Sequence, residues 1–355
     1  MLNIDMKIIG VAYSMTNDAE SNEIIAFSQH CDGTLTRMAA YSTGGSGTGE
    51  QIVDPLGSQG SIIVSCDGCF LFAVNAGSNS ISSFRIRHGS LNLVDVEPSN
   101  GVRPNSLASF NNLLYVTNAG DPPNNIASNV TGFRVRRDGT LIPIPGSTKP
   151  LSTVNAQPSC VVFSPHGHKI VVSEQNTNTL STFRVNSDGT LTGPAVNSSS
   201  GIAPFGSVFL CRGLLLVAEA GSGALSSYTA NPDGTLNVIS ASVKNFQTAT
   251  CWVSASPCER FAYTSNTGSH TIATYRINKD GTLAVDNVEY STRNGTGAPI
   301  DSAVNNCRCF LYVLNGNEGS ISVFRIEKDG SLTLLQVLTD TGLPELGAQG
   351  MAVFS

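Results

Sequence analysis

Apolar and polar residues alternate with a period of two along most of this chain. The alternation is cleanest in Ile81-Ser82-Ser83-Phe84-Arg85-Ile86 and in Ile321-Ser322-Val323-Phe324-Arg325-Ile326. A period of two puts successive side chains on opposite faces of a pleated strand, and no stretch shows the 3.6-residue period of a helix. The pattern predicts short strands in groups of four; in the second group these are 61–65, 70–75, 80–86 and 91–96. Between the third and fourth strands of each group one phrase returns. It reads Asp32-Gly33-Thr34-Leu35, His88-Gly89-Ser90-Leu91, Asp138-Gly139-Thr140-Leu141, Asp188-Gly189-Thr190-Leu191, Asp233-Gly234-Thr235-Leu236, Asp280-Gly281-Thr282-Leu283 and Asp329-Gly330-Ser331-Leu332. Gly accepts the positive φ that a tight hairpin needs.

Seven such units, spaced 45 to 56 residues apart by their numbering, predict a radial array: an all-β fold, one seven-bladed β-propeller spanning 1–355. The blades fall at 6–41 plus 349–355, 59–97, 104–145, 158–196, 204–241, 249–288 and 298–337. The first unit opens in a second strand, at Ile8 to Tyr13, with no first strand before it. The tail Gly347-Ala348-Gln349-Gly350-Met351-Ala352-Val353 resembles Gly57-Ser58-Gln59-Gly60-Ser61-Ile62-Ile63. The C-terminal strand is therefore expected to complete blade 1 and close the ring, removing an open sheet edge.

Charge is sparse, 13% of residues with a formal balance of −6. Phosphate binding needs clustered Lys and Arg, so nucleic acid is not an expected partner. No apolar run approaches the roughly 20 residues of a membrane span. The nine cysteines leave at least one thiol unpaired or shared between chains. Cys66, Cys69, Cys211, Cys258, Cys307 and Cys309 fall in turns between first and second strands, and Cys31 at a neighbouring level. Cys31 with Cys66 or Cys69, and Cys258 with Cys307 or Cys309, are conceivable disulfides; free thiols are the other reading. No zinc-type spacing occurs, so no metal site is expected. Asn129-Val130-Thr131, Asn197-Ser198-Ser199 and Asn294-Gly295-Thr296 are glycosylation triplets. With the cysteines and the low charge they point to the secretory pathway or the extracellular space, with a signal peptide removed; a cytoplasmic protein is the alternative. Oligomeric state is left open.

Two connections are long: 42–58, rich in Gly, and 119–128, containing Asp121-Pro122-Pro123. Long loops in a compact domain tend to carry function. Second strands end in Asn75, Asn118, Glu174, Glu219, Asn266 and Asn315. Asn there commonly sets a turn by bonding its own backbone, which Glu does poorly, so Glu174 and Glu219 stand out as candidate acids or bases. The channel-lining first strands hold Asn105-Ser106, Ser159-Cys160, Phe205-Gly206, Cys251-Trp252, Ile300-Asp301 and Gly350-Met351 at their upper ends. Asp301 is a third candidate catalytic residue. Arg103, Asn118, Ser159, Phe205, Trp252, His270 and Met351 are the candidate substrate contacts, in a partly apolar cup suited to a small molecule; His270 otherwise reads as a surface residue.

Ser164-Pro165-His166-Gly167, Pro204-Phe205-Gly206, Thr250-Cys251-Trp252-Val253 and the recurring Phe-Arg-(Val/Ile) resemble the seven-bladed lactonase-like propellers, the superfamily of bacterial 6-phosphogluconolactonase and fungal carboxymuconate-lactonizing enzyme. Tyr115-Val116-Thr117-Asn118 also looks like a surface-layer propeller repeat. The resemblance implies catalysis by a Pro-His step in one first strand and a Pro-Arg-His step in the next. Here those slots read Pro158-Ser159 and Pro204-Phe205-Gly206, and Glu219 is one residue off the family's Glu. These departures, with Phe205, Trp252 and Met351, favour an enzyme that closes or rearranges rings on an apolar substrate in secondary metabolism. Certain fungal propellers of this type are hetero-Diels–Alderases, and such chemistry needs orientation but no cofactor. A lactone hydrolase is the second reading, and a secreted binding propeller without chemistry the third.

Overall fold

The computed structural model describes residues 7–305 and 309–354. Seven antiparallel sheets surround one axis, each stepping outward from an inner first strand. Blade 1 begins with the C-terminal strand Gln349–Phe354, which pairs with Ile8–Met15; Glu23–His30 and Leu35–Ser42 follow. The ring is thus closed by its own last strand, as the sequence predicts.

The other inner strands are Ile62–Val64, Pro104–Phe110, Pro158–Phe163, Pro204–Phe209, Thr250–Ala255 and Pro299–Asn305. Second and third strands are buried on both faces and supply the inter-blade core. Outermost strands such as Leu283–Tyr290 alternate with solvent. Blade 3 departs from four strands: its outer edge is broken into Leu141–Pro143 and Lys149–Pro150. Pro143, Pro145 and Pro150 have no N–H for the ladder there, and such residues are confined to sheet edges.

The Asp-Gly turns do more than reverse the chain. Each Gly backs onto the preceding blade. A Cβ on Gly330, where φ is +93°, would stand 2.3 Å from the Phe261 ring, and one on Gly33 2.4 Å from Phe310. The Gly carbonyls also accept bonds from that blade: Tyr13 Oη to Gly89 at 2.7 Å, Tyr115 Oη to Gly189 at 2.6 Å, and Ser227 Oγ to Gly281 at 2.8 Å. The turns are the latches between blades. Blade 2 differs in using a two-residue turn, His88 and Gly89 both at positive φ, with Arg87 paired to Ser90.

Among the described residues no helix is long and apolar enough to cross a membrane, and no group of three or more His, Cys, Asp or Glu could hold a metal ion. The eight described cysteines carry free thiols; Cys307, one of the suggested disulfide partners, lies outside the described residues. Asn129 and Asn197 have their side chains occupied by hydrogen bonds in partly buried strands, whereas Asn294 is exposed in a connection.

Candidate functional site

The polar residues that end the second strands are clamps. Asn75 donates to Ser80 and Ser82 of its third strand, and Asn315 does the same to Ser320 and Ser322. These bonds run to the neighbouring strand, not to the residue's own backbone. Where Glu takes the place, the donors reverse. Glu174 accepts from the hydroxyls of Ser152, Thr177 and Thr179; Glu219 accepts from Ser226 at 2.6 Å and Ser199 at 3.4 Å. Both are fully buried, each bonded within its own blade and the connector entering it. Glu219 Oε2 has no partner among the described residues and lies against Gly201, where a Cβ would be only 2.0 Å away. Asn118, also fully buried, donates to Asn129 and to the Ser99 carbonyl. His270 sits in the left-handed region, its Nδ1 3.1 Å from the Gly297 carbonyl of the next connector.

The inner strands of blades 3 to 7 each carry a bulge at the upper end, spanning Asn105, Ser159, Phe205-Gly206, Cys251 and Ile300-Asp301. A bulge re-aims side chains, and here it prepares a socket. The connector from blade 1 to blade 2 dips into that socket and lies across the axial channel. Ser58 Oγ donates to the Asn105 carbonyl at 2.7 Å, and the Gln59 amide to the Ser159 carbonyl at 2.8 Å. The Gln59 side chain donates to the Ser207 carbonyl at 3.1 Å and accepts from the Val253 amide at 2.9 Å. Trp252 Nε1 donates to the Ser58 carbonyl at 3.0 Å, and the Gly60 amide to Asp301 Oδ2 at 3.1 Å. Three consecutive residues thus bond to blades 3 through 7. Blade 2 gives up the top of its own inner strand to make this plug, which is why that strand is cut to Ile62–Val64.

The expected apolar cup is filled by this segment. Phe205, Trp252, Ile300 and Met351 pack in one buried cluster, with Phe205 edge-on to Trp252 at 4.8 Å between ring centres, and Trp252 is 1% exposed. Ser159 is fully buried, its hydroxyl within reach of the Pro204 and Phe205 carbonyls. At Gly206 a Cβ would come within 2.1 Å of Gln59 Oε1. The positions at which the chain departs from the lactonase His and Arg pattern are the positions that receive the plug.

Among several surface cavities of the described residues, one of about 580 Å³ lies between residues 16–23, 49–51 and 342–347, and another lies beside the plug. The cavity beside the plug, about 510 Å³ and open to solvent, is bordered by the connector at Ile52, Asp54, Pro55, Leu56 and Gly57, by Arg103 and Asn105, by the blade 3 loop from Ala119 to Pro123, and by Asn155 and Gln157. Both long loops picked out in the sequence meet here. Arg103, at φ +55°, pairs with Glu50 at 3.1 Å with both side chains partly exposed. Asp54 keeps part of its surface open to the cavity while protein surrounds the rest of it. Burial pushes its carboxyl up to about 7, although the Gly57 amide, Gln349 side chain and Ser58 amide bond to it. Asp301 behaves alike at the plug: burial first, then the charge of Asp54, raise it to about 7 against amides of Gly60, Ser302 and Met351. Of the sequence candidates this cavity gathers Arg103 alone, with Asn118 next to its wall and Asp301 electrostatically linked to its floor. Asp54, Asp121 and Gln157 carry no repeat-based signal, because they lie where the repeat is interrupted; the lengths of the 42–58 and 119–128 connections are the signs of Asp54 and Asp121, and nothing in the sequence marks Gln157.

The family model for the seven-bladed β-propeller lactonases matches residues 11–121 of this chain. No curated protein sequence matches it. Among solved structures, a candidate 6-phosphogluconolactonase from Bacteroides fragilis superposes with a TM-score of 0.77 at 17% identity, covering 100% of both chains. The periplasmic gluconolactonase of Pseudomonas aeruginosa gives 0.76 at 18% identity, over 98% of this chain and 99% of that one. Streptogramin B lyase gives 0.59 at 15% identity, over 83% and 87%. By fold the chain is a seven-bladed β-propeller, and its segment 11–121 is similar to the lactonase propellers.

Proposed function

We propose that this protein is a lactonase-type enzyme that opens or closes a cyclic ester in the cavity beside the plug, with Asp54 as its proton carrier. The observation that carries this reading is a carboxyl held near neutrality at the floor of a cavity built by irregular connectors, with a cation at its edge. A general acid or base works best when its pKa lies near the working pH. Asp54 takes a proton from water as the water oxygen adds to the ester carbonyl. The ring C–O bond then breaks, and the proton passes to the departing alkoxide, leaving a hydroxy acid. Lactonisation is the same sequence reversed. Arg103 offers a positive charge to the oxyanion of the addition step or to the product carboxylate.

The likeness to the lactonase model and to two gluconolactonase-type structures supports the substrate class. A cycloaddition on an apolar precursor, the first expectation from Phe205, Trp252 and Met351, has no open cavity at those residues.

The test is hydrolysis of a panel of five- and six-membered lactones by the full chain and by Asp54→Asn. The expected result is turnover that falls roughly 10²- to 10⁴-fold in the variant, with kcat/KM rising through pH 7 in the wild type. Turnover equal in both proteins, or none with any lactone, would overturn the reading.

A further inference from the structure

The cavity has two chemistries. Its floor is polar, at Asp54 and Arg103. Its wall also has apolar members: Ile52, 52% exposed, and Pro122 and Pro123 of the blade 3 loop. Two further exposed side chains continue that edge. Ile126, 41% exposed, is bonded through its backbone to Asp121 of the wall. Val154, 44% exposed, precedes the wall residue Asn155, and its carbonyl accepts from the Ser128 amide. Of the other exposed aliphatic residues, Leu93, Val196 and Val238 lie on the outermost strands, where single exposures are ordinary, and Ile202 lies alone in the 199–203 connector. Ile52 lines the cavity, and Ile126 and Val154, on two other loops, lie next to its wall residues Asp121 and Asn155.

We propose that the site takes an amphiphilic ring ester, the lactone seated on the polar floor and an aliphatic tail laid outward over Ile52, Ile126 and Val154. This rests on the lactonase reading for the head group, but the tail site stands on the apolar edge itself. A cavity of about 510 Å³ exceeds what an unsubstituted five-membered ring fills, and the edge continuous with it is the direction in which a substrate extends. Each methylene covered by such a surface adds to affinity by its removal from water.

The experiment is a chain-length series of γ-lactones, from γ-butyrolactone to γ-dodecalactone, followed both by hydrolysis and by calorimetric binding to Asp54→Asn. The expected result is a rise in kcat/KM and in affinity of about two- to threefold per added methylene. Ile126→Ser and Val154→Ser, exposed positions where the fold is retained, flatten that slope. A series whose kcat/KM is independent of tail length, while short lactones are turned over, overturns the tail site and leaves the lactonase reading standing. Should no lactone be hydrolysed, the binding arm still decides: affinity that grows with the tail and is lost in Ile126→Ser upholds the tail site alone, and affinity independent of length overturns it.

Discussion

The two rims of this propeller are built on opposite rules. On one, seven hairpins repeat nearly the same four residues, and each bonds to its neighbour in a similar way. On the other, short connections of like length, such as 99–103, 199–203 and 245–249, alternate with long ones, 43–61 and 119–128, that have roles of their own. One crosses the axis, one overhangs a cavity, and others end strands with buried clamps. The Asp carboxyls of the repeated turns are tied down. In Asp188, Asp233 and Asp280 the hydroxyl and then the amide of the Thr two residues on hold the group below its ordinary value. The carboxyls beside the channel, Asp54 and Asp301, are displaced the other way by burial. Repetition serves assembly, and the same residue type acquires chemistry only where the repetition is broken.

That contrast can be broken most severely at the seam. Removing Gln349–Phe354 opens blade 1 and withdraws the Gln349 partner of Asp54; the expected outcome is loss of the cooperative melt by circular dichroism. Next in size is Trp252→Ala, which empties a large buried site and leaves the Ser58 carbonyl unpaired, at a cost of about 3–5 kcal/mol in denaturant unfolding. Gly330→Ala and Gly206→Ala follow at roughly 1–3 kcal/mol each, one pressing a latch against Phe261 and the other lifting Gln59 from its socket. They separate by their consequences: Gly206→Ala also disturbs ligand binding beside the plug, and Gly330→Ala does not. Smallest is Asp233→Ala, in an exposed turn, expected to melt within about 2 °C of the wild type.

The two displaced carboxyls give the contrast a pH signature. Each keeps its proton to about pH 7 in the folded protein but releases it near 4 when unfolded. Between those values the folded state binds more protons, so stability is greatest below the window and is lost as pH rises through 7. Thermal melts from pH 4.5 to 8 should show that decline, and Asp301→Asn should flatten part of it.

The architecture is legible in the sequence because strand period and turn chemistry are local signals repeated seven times, and the tail matches a first strand closely enough to reveal the closure. The plug is illegible for the same reason. Gly57-Ser58-Gln59-Gly60 looks like Gly347-Ala348-Gln349-Gly350, yet Gln349 begins an ordinary inner strand while Gln59 bridges blades 5 and 6. Only the bulged strands on the far side of the ring distinguish the two, and those contacts span 148 and 194 residues. The slots of Phe205, Trp252 and Met351 face the axis, which is why the sequence suggests an open cup; what occupies the axis comes from elsewhere in the chain. Glu174 and Glu219 are exceptions in the structure as in the sequence, but their surroundings supply hydroxyl donors, which make a carboxylate a substitute clamp.

The plug also bears on the order in which the molecule is made. Residues 58–60 are synthesised before their partners, which reach from Asn105 to Asp301, and Asp54 meets Gln349 from the strand that closes blade 1. Contacts of such high sequence separation form late, since their loop-closure entropy is met only when the intervening blades are in place. A nascent chain can therefore stack blades while the Asp54 carboxyl remains in water with an ordinary affinity for protons. The displaced state of that carboxyl would appear at the end of folding, all at once, so on the proposed function activity would itself be a proofreading mark of a completed ring.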